Sequence, residues 1–311
     1  MSDLILHHYP TSPFAEKARL LMGFKNLAWR SVQIPPVMPK PDLTALTGGY
    51  RKTPVLQIGA DIYCDTALIA RRLEAHQPQP ALLPGSQAFA IAAFAQWADS
   101  VVFQHAVSLV FQPESMALRF AKAPPEFVQA FIADRSKLFS GGQASRLPAE
   151  QAKHQWPSFV TRLQAQLDAS GGDFLFGAAS LADIAMAHPL WFLRATPVTS
   201  PLVDGYPAVA AWLDRVLAFG HGRSEEIRGE VAIEVARAAT PAPLPVEVFS
   251  EPNGFTAGQR VAISAIDYGV EAVEGELLFA GAEELILRRE DDRAGVVHVH
   301  FPRLGFRIEA R

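Results

Sequence analysis

The stretch Leu4-Ile-Leu-His-His-Tyr-Pro-Thr-Ser-Pro-Phe-Ala-Glu-Lys-Ala-Arg19 predicts a strand that leads directly into a helix. Leu4–His8 is a short apolar run, and Phe14–Phe24 carries apolar residues at helical spacing. Between them, Ser12 and Pro13 are typical of an N-cap and a first helical position. Free N–H groups at a helix start favour an anion, and a thiolate sulfur is such an anion. Ser12 is therefore a candidate thiol-activating hydroxyl, although simple capping explains this segment alone.

The remainder of residues 1–80 predicts a small α/β domain. A second strand is predicted at Leu27–Gln33, and two short strands are predicted at Thr53–Ile58 and Asp61–Tyr63. A second helix is predicted at Asp65–His76. The turn at Gly59-Ala60 indicates an antiparallel hairpin. The order β-α-β-loop-β-β-α predicts a mixed sheet flanked by helices, and Gln77–Pro84, with three prolines, predicts a linker.

Residues 85–222 predict an all-helical domain. The periodic segments are Phe89–Val110, Pro125–Phe139, Glu150–Ala169, Leu181–Ala195 and Pro207–Ala218. Residues 223–245, a charged helical stretch and a proline-rich run, predict a linker. Residues 246–311 change to a period of two, which predicts a small all-β domain similar to an SH3-like barrel. Its predicted strands are Val246–Phe249, Arg260–Ile266, Val270–Leu278, Glu284–Arg289, Val296–Phe301 and Phe306–Ile308.

The composition favours a globular protein with a small-molecule ligand. The chain has 311 residues and a formal net charge of -4, without a basic stripe that indicates nucleic acid or a membrane surface. Cys64 is the only cysteine, which excludes an intramolecular disulfide and favours a reducing compartment. Every long apolar run is interrupted, and the N-terminus does not resemble a signal peptide. We therefore expect a soluble, cytoplasmic protein.

Two further segments carry candidate binding groups. In Arg51-Lys-Thr-Pro-Val-Leu56, a cis Thr53-Pro54 bond would leave the backbone of Val55 free to pair with an extended peptide. Base rates favour trans. In Cys64-Asp-Thr-Ala-Leu-Ile69, Asp65 and Thr66 stand at a helix start, where they could bind an amino-acid headgroup. N-capping is the alternative role for this pair.

Together these segments resemble the thioredoxin-like domain of soluble glutathione transferases, and Ser-Pro-Phe is similar to the motif of the omega and tau classes. The resemblance covers roughly residues 1–220 and implies a homodimer that transfers the thiolate of its co-substrate glutathione to a small electrophile, with no metal. It makes Ser12 the catalytic residue and Pro54 the cis-proline. The implied glutathione-binding residues are Lys52, Thr53, Pro54, Val55, Asp65 and Thr66. Asp65 departs from the usual Glu and is one methylene shorter.

The helical domain has its own match to this family. In Ser180-Leu-Ala-Asp-Ile-Ala, Ser180 resembles the N-cap and Asp183 the N3 acid of the family's capping box. We expect loss of either side chain to destabilise the fold by roughly 1 kcal/mol, so neither is assigned a catalytic role.

Other candidates have structural alternatives. His298 and His300 alternate on one strand, but without a third ligand at suitable spacing they predict surface histidines. Cys64 beside Asp65 predicts an inert, partly buried thiol, because a neighbouring acid raises its pKa. Several aromatic residues are expected mostly in the core, a few of them along a co-substrate pocket: Trp97, Phe103, Phe111, Trp191 and Phe192.

The sequence leaves two classes of function open. The first is an enzyme that conjugates glutathione; dehalogenation is compatible with it, whereas a Ser12 hydroxyl cannot form the mixed disulfide of a thiol reductase. The second is a non-catalytic binding or scaffold protein whose C-terminal β domain recognises a partner. The additional β domain and the shortened acid at Asp65 favour this second class.

Overall fold

The computed structural model describes residues 3–144 and 147–311. Its N-terminal unit contains β1 (Leu4–His8), α1 (Pro13–Phe24), β2 (Ala28–Gln33), α2 (Pro41–Thr47), β3 (Val55–Ile58), β4 (Asp61–Cys64) and α3 (Thr66–His76). Strand β1 pairs in parallel with β2 and antiparallel with β3, which pairs antiparallel with β4. This confirms the predicted thioredoxin-like order. Helix α2 was not predicted, because it is a seven-residue element beside a proline-rich segment.

The helical domain follows through α4 (Ala88–Trp97), α5 (Phe103–Val110), α6 (Pro113–Arg119), α7 (Pro125–Leu138), α8 (Ala149–Ser170), α9 (Leu181–Arg194), α10 (Pro201–Asp204) and α11 (Pro207–Leu217). A π-helical stretch, Ala98–Val102, divides the single long helix predicted over this region. One hydrophobic cluster joins α4, α5, α8, α9, α10 and α11 to α1 and α3 on one face of the sheet. No helix among the described residues has both the length and the apolar character to cross a membrane.

The predicted capping box is present at the start of α9. Ser180 N and Ser180 Oγ each donate a hydrogen bond to Asp183 Oδ2 at 3.0 Å. These bonds fix the start of a helix that packs against α1 of the N-terminal unit and against α4, α5, α10 and α11.

The segment at residues 223–245, predicted as a linker with a charged helical stretch, packs on the rest of the protein. It contains β5 (Arg223–Ile227), which pairs in parallel with β2, and α12 (Gly229–Ala238), which packs on α2. Only residues 239–245 are extended chain without regular structure. The charged sequence of β5 concealed a strand because this edge strand is mostly exposed and has no apolar alternation.

The C-terminal region is strand-rich, as predicted, and contains β6 (Arg260–Ala265), β7 (Val273–Ala280), β8 (Glu284–Asp291), β9 (Gly295–Pro302) and β10 (Phe306–Ala310). Strands β6 to β9 form an antiparallel meander, and β10 returns to pair with β6. The predicted first strand, Val246–Phe249, is not a strand. Val246 and Val248 are both highly exposed, so their alternation does not correspond to a buried face.

These five strands do not form a separate barrel domain. Strand β9 pairs in parallel with β4, which gives one ten-stranded sheet in the order β10-β6-β7-β8-β9-β4-β3-β1-β2-β5. A second hydrophobic cluster extends from α2 and α12 to the interior of the C-terminal strands. The predicted boundary at residue 246 therefore separates elements that share one sheet and one core.

Candidate active-site cleft

A cleft lies between the thioredoxin-like unit, helices α4 to α7 and the loop that connects β6 to β7. It consists of two adjoining pockets that share Phe14, Lys52, Thr53 and Tyr268. The Ser12 pocket is also lined by Tyr9, Thr11, Ser12, Pro13, Lys40, Arg51, Phe103, Val107, Phe111, Arg119, Phe131, Arg135, Leu138, Phe139 and Phe192. The Asp65 pocket is also lined by Tyr50, Pro54, Asp65, Thr66, Gln96, Asp99, Ser100, Gln104, Ala144 and Asp267.

Ser12 caps α1 at the floor of the Ser12 pocket. Its Oγ accepts a hydrogen bond from Ala15 N at 3.2 Å, and the residue is only 3% exposed. Because this bond uses an oxygen lone pair, the hydroxyl proton can be donated to a ligand. The helix start adds a partial positive charge. The position is therefore suited to an anionic atom such as a thiolate sulfur.

Asp65 and Thr66 begin α3 in the adjoining pocket. Asp65 Oδ1 accepts a hydrogen bond from Ala67 N at 2.9 Å, and the Asp65 backbone has a φ of 75°, which is rare for a residue with a side chain. Thr66 Oγ1 accepts a hydrogen bond from Lys17 Nζ at 3.2 Å, so its own proton can be donated elsewhere. An acceptor and a donor thus stand side by side at one helix start.

A buried charge network supports this pair from below. Lys17 forms an ion pair with Asp99, and His188 Nε2 lies 3.0 Å from Asp99 Oδ1. Burial alone raises the pKa of Asp99, but Lys17 and His188 outweigh it and lower that pKa. Burial lowers the pKa of His188. The Asp99 carboxylate, held by His188, can therefore keep Lys17 in place beside Thr66. No local sequence pattern predicted this contact.

The segment Lys52–Val55 lies between the two pockets. The Thr53-Pro54 peptide bond is cis, as the family resemblance implied. The general frequency of X-Pro bonds had favoured trans. Thr53 Oγ1 accepts a hydrogen bond from Lys40 Nζ at 3.1 Å. Val55 begins β3, and its side chain is completely buried in the second hydrophobic cluster. Val55 lies opposite His7 of β1 and Cys64 of β4 and lines neither pocket, so the structure does not bring the predicted backbone clamp into the cleft.

The C-terminal region reaches this cleft through the loop between β6 and β7. Lys52 Nζ is 2.6 Å from Asp267 Oδ1 and 4.3 Å from the centroid of the Tyr268 ring. The loop is held against the end of α7 and the following turn, where Gly269 N donates to Leu138 O at 2.7 Å. Gly142 permits this approach, since a Cβ there would lie 1.7 Å from Asp267 O. The region predicted as a separate domain thus forms part of the cleft wall.

Four further cations line the Ser12 pocket and were not predicted as site residues. Arg51 is neutralised by Asp134 at 3.0 Å and Glu271 at 3.2 Å. Burial, together with the charges of Arg135 and Arg51, lowers the pKa of Lys40 to about 8. The other two, Arg119 and Arg135, come from α6 and α7. No motif predicted these two arginines, because the sequences of α6 and α7 resemble those of ordinary surface helices.

The helical side of the Ser12 pocket is aromatic. Of the five aromatic residues considered from the sequence, Phe103, Phe111 and Phe192 line the pocket, whereas Trp97 and Trp191 lie elsewhere. Beyond Phe111, a groove of about 810 Å³ continues between α5, α6 and α7. The cleft therefore combines a polar floor with a wide apolar extension.

A separate cluster joins β4 to the C-terminal strands. His300 is buried, with Nε2 at 2.9 Å from Asp61 Oδ1 and Nδ1 at 2.7 Å from Glu284 Oε1. The prediction of surface histidines is therefore wrong for His300. One donor atom from each of Asp61, His298 and His300 lies within 4.8 Å of the others, so a third potential ligand does exist. Asp61 was overlooked because it lies on a distant strand. With both nitrogens of His300 facing carboxylates, the arrangement is that of a buried ionic contact.

Cys64 is completely buried, and burial followed by the charge of Asp65 raises the pKa of its thiol. Cys64 is unlike a reactive thiolate, which requires exposure and a lowered pKa. Cys64 is therefore unsuited to act as a nucleophile, as predicted.

The comparisons with known proteins agree with this architecture. The profile for the N-terminal domain of glutathione S-transferases matches residues 6–81, and that for the C-terminal domain matches residues 149–215. A GST-like protein from Pseudomonas syringae is 63% identical, with both chains covered completely and a TM-score of 0.84. A search of curated proteins gave no match.

More distant structures share the fold over the first two domains. Glutathione transferase F2 from Populus trichocarpa is 14% identical over 69% of this chain and 93% of its own, with a TM-score of 0.51. FzlA from C. crescentus is 20% identical over 69% of this chain and 87% of its own, with a TM-score of 0.52. The full-length match at high identity decides the relationship: the chain belongs to the glutathione transferase family.

Proposed function

We propose that the protein is a glutathione transferase that joins the thiolate of glutathione to a small electrophile. The observation that carries this proposal is the buried Ser12 hydroxyl, at a helix start, with its proton free for donation and an acid-hydroxyl pair in the adjoining pocket. Such a hydroxyl stabilises a thiolate by a hydrogen bond to charge.

In this proposal, glutathione lies across both pockets. Asp65 accepts the γ-glutamyl ammonium, and Thr66 donates to the γ-glutamyl carboxylate. The backbone of Thr53, which lines both pockets, pairs with the cysteinyl unit and directs its sulfur towards Ser12. Lys40, which contacts Thr53, attracts the glycyl carboxylate together with Lys52. The assignment of Lys52 requires that it share its charge with Asp267.

The reaction is a nucleophilic substitution or addition at a carbon of the electrophile, with the glutathione sulfur as the nucleophile. The glutathione thiol loses its proton to solvent, and Ser12 holds the thiolate through its O–H. The sulfur forms a bond to the electrophilic carbon, and in a substitution the leaving group departs with its bonding pair. The aromatic side of the Ser12 pocket holds the electrophile close to the sulfur, which supplies the proximity needed for the reaction.

The test is an ultraviolet titration of the thiol of bound glutathione in wild type and Ser12→Ala. A hydrogen bond to a charged group contributes roughly 1.5–3 kcal/mol, so we expect the variant to raise the bound thiol pKa by about one to two units. Turnover should fall by about ten- to hundred-fold near neutral pH. Thr11→Val removes a neighbouring hydroxyl from the same pocket and should leave both quantities near wild type. An unshifted thiol pKa in the wild-type complex would disprove the mechanism.

The second candidate is a non-catalytic binding protein. It is favoured by the ion pair between Lys52 and Asp267, through which the C-terminal region engages a residue expected to bind glutathione. Calorimetry separates the two functions. Heat of binding with glutathione supports the transferase, whereas no detectable heat at millimolar ligand would favour the binding protein.

A further inference from the structure

Arg119 is a partly buried cation on the helical side of the Ser12 pocket. Its Nη1 donates to Thr196 Oγ1 at 3.0 Å, and its guanidinium lies 4.9 Å from the centroid of the Phe192 ring. Within residues 3–144 and 147–311, no carboxylate pairs with it, and burial lowers its pKa. A buried charge is costly unless an opposite charge and hydrogen bonds compensate it. The free side of Arg119 therefore favours an anion supplied by a ligand.

The other cations of the pocket differ from Arg119 in their pairing. Arg51 and Lys52 are each held by carboxylates of the chain. Arg135 has a longer contact of 3.5 Å to Asp134, while its Nη2 lies 3.4 Å from the Tyr9 hydroxyl. Lys40, on the thioredoxin-like side, contacts the Thr53 hydroxyl and is the cation assigned above to the glycyl carboxylate. Arg119 is therefore the cation beside the aromatic wall that remains for a second anion.

The aromatic wall limits the chemistry of that anion. Phe192 stacks beneath Arg119, and Phe131 lies 4.8 Å beneath the guanidinium of Arg135. A planar aromatic ring can pack on such a surface, and a guanidinium matches a carboxylate with two parallel hydrogen bonds. A neutral electrophile would not supply the opposite charge that a carboxylate brings to Arg119.

We propose that Arg119 determines specificity by selecting electrophiles that carry a carboxylate on an aromatic ring. This rests on the proposed transferase function. In a halogenated nitrobenzoate, the thiolate sulfur would bond to the ring carbon that bears the halogen, and halide would leave with the bonding pair. Arg119 would hold the carboxylate away from the reacting carbon, so it is a binding residue for the electrophile.

Binding is tested with an unreactive pair of ligands, a dinitrobenzoate and the amide of the same acid, by calorimetry on the full-length protein. We expect wild type to bind the benzoate about ten-fold or more tightly than the amide, as a charge-assisted bidentate contact allows. Arg119→Gln should bring the two affinities close together, and Arg119→Lys should keep part of the preference. Lys122→Gln, an exposed cation beyond α6, makes the same change in net charge and should keep the full preference.

Turnover is tested with a chlorodinitrobenzoate and its amide. We expect Arg119→Gln to lower kcat/KM for the benzoate about ten-fold or more and to leave kcat/KM for the amide within about two-fold. Amide turnover also verifies that the variant is folded. Equal binding of the two ligands by wild type, or a preference that survives in Arg119→Gln, would overturn the proposal. If the binding preference holds but neither electrophile reacts, the transferase function fails while the role of Arg119 in anion selection stands.

Discussion

Asp183 is completely buried, and its carboxylate accepts four hydrogen bonds. Leu175 N lies 2.9 Å from Oδ1, Trp212 Nε1 lies 3.0 Å from Oδ1, and Oδ2 accepts from both Ser180 N and Ser180 Oγ. Burial raises the pKa of Asp183. The side chain therefore connects the start of α9 to α11 and to the turn before α9, beyond its role in a capping box.

This arrangement separates the effects of Ser180→Ala and Asp183→Ala. Ser180→Ala removes one cap hydroxyl and should lower the free energy of unfolding by about 1 kcal/mol. Asp183→Ala also leaves the buried donors of Leu175 and Trp212 without an acceptor, each at about 1–3 kcal/mol, so we expect a loss of about 3 kcal/mol or more. Urea unfolding followed by tryptophan fluorescence measures both losses. Equal losses for the two variants would contradict the wider role of Asp183.

Residues whose role depends on local pattern could be predicted from the sequence. Ser12, Asp65 and Ser180 all stand at helix starts, where capping chemistry is encoded within a few positions. Arg119 and Tyr268 could not be predicted. Their importance comes from the walls that they complete, and a single arginine or tyrosine has no spacing that distinguishes a cleft from a surface.

At the level of elements, most strands and helices were predictable, but one strand pairing was not. Periodicity identified β9 and the hairpin containing β4 separately. Their parallel pairing sets Asp61 opposite His298, and no local signal reports such a distant register. The large separation in sequence also concealed the contact between Asp61 and His300. The His300 ring packs on the Tyr63 ring, with the two centroids 4.3 Å apart.

The His300 contact should make stability depend on pH. Burial alone lowers the pKa of His300, but the carboxylates of Asp61 and Glu284 outweigh burial and raise this pKa above 6.5. Its stabilisation is therefore fully present below the unfolded pKa and is lost as pH rises through the folded pKa. We expect the Tm deficit of His300→Gln to be largest near about pH 5.5 and to shrink towards about pH 8.5. Differential scanning calorimetry across this range measures it.

His298→Gln is the matched control for this prediction. Burial lowers the pKa of His298, so protonation of His298 at low pH costs stability in the folded state. The Tm of His298→Gln should therefore rise relative to the Tm of wild type as pH falls. The Tm of His300→Gln should change in the opposite direction. A Tm deficit of His300→Gln that does not change with pH would exclude the charged contact.

For the molecule as a whole, the domain boundaries were the least predictable property. Composition and period change at residues 223–245, and these changes usually mark linkers. Here the second hydrophobic cluster passes across the boundary, because α12 packs on α2 and β9 continues the sheet beside β4. Sequence reports the period of each segment but not which two faces are buried together.

The shared core predicts the outcome of truncation. A chain that ends at residue 245 would lose β6 to β10 and expose both the edge of β4 and the apolar face that β9 covers. We expect it to aggregate on expression, since exposed strand edges and large apolar faces promote association. A chain that ends at residue 305 loses only the edge strand β10 and should remain folded. Size-exclusion chromatography compares them; a monodisperse, cooperatively melting 1–245 chain would contradict the shared core.

The pairing of β4 with β9 also has a consequence for the order of events during synthesis. Asp61 and His300 are separated by 239 positions, so the ribosome completes both N-terminal domains before β4 can meet its partner. Contacts this distant in sequence are slow to form, and unpaired strand edges are prone to misassembly in the interval. We expect the nascent chain to remain a client of chaperones until its final strands emerge, later than for a thioredoxin-like unit that is complete by itself.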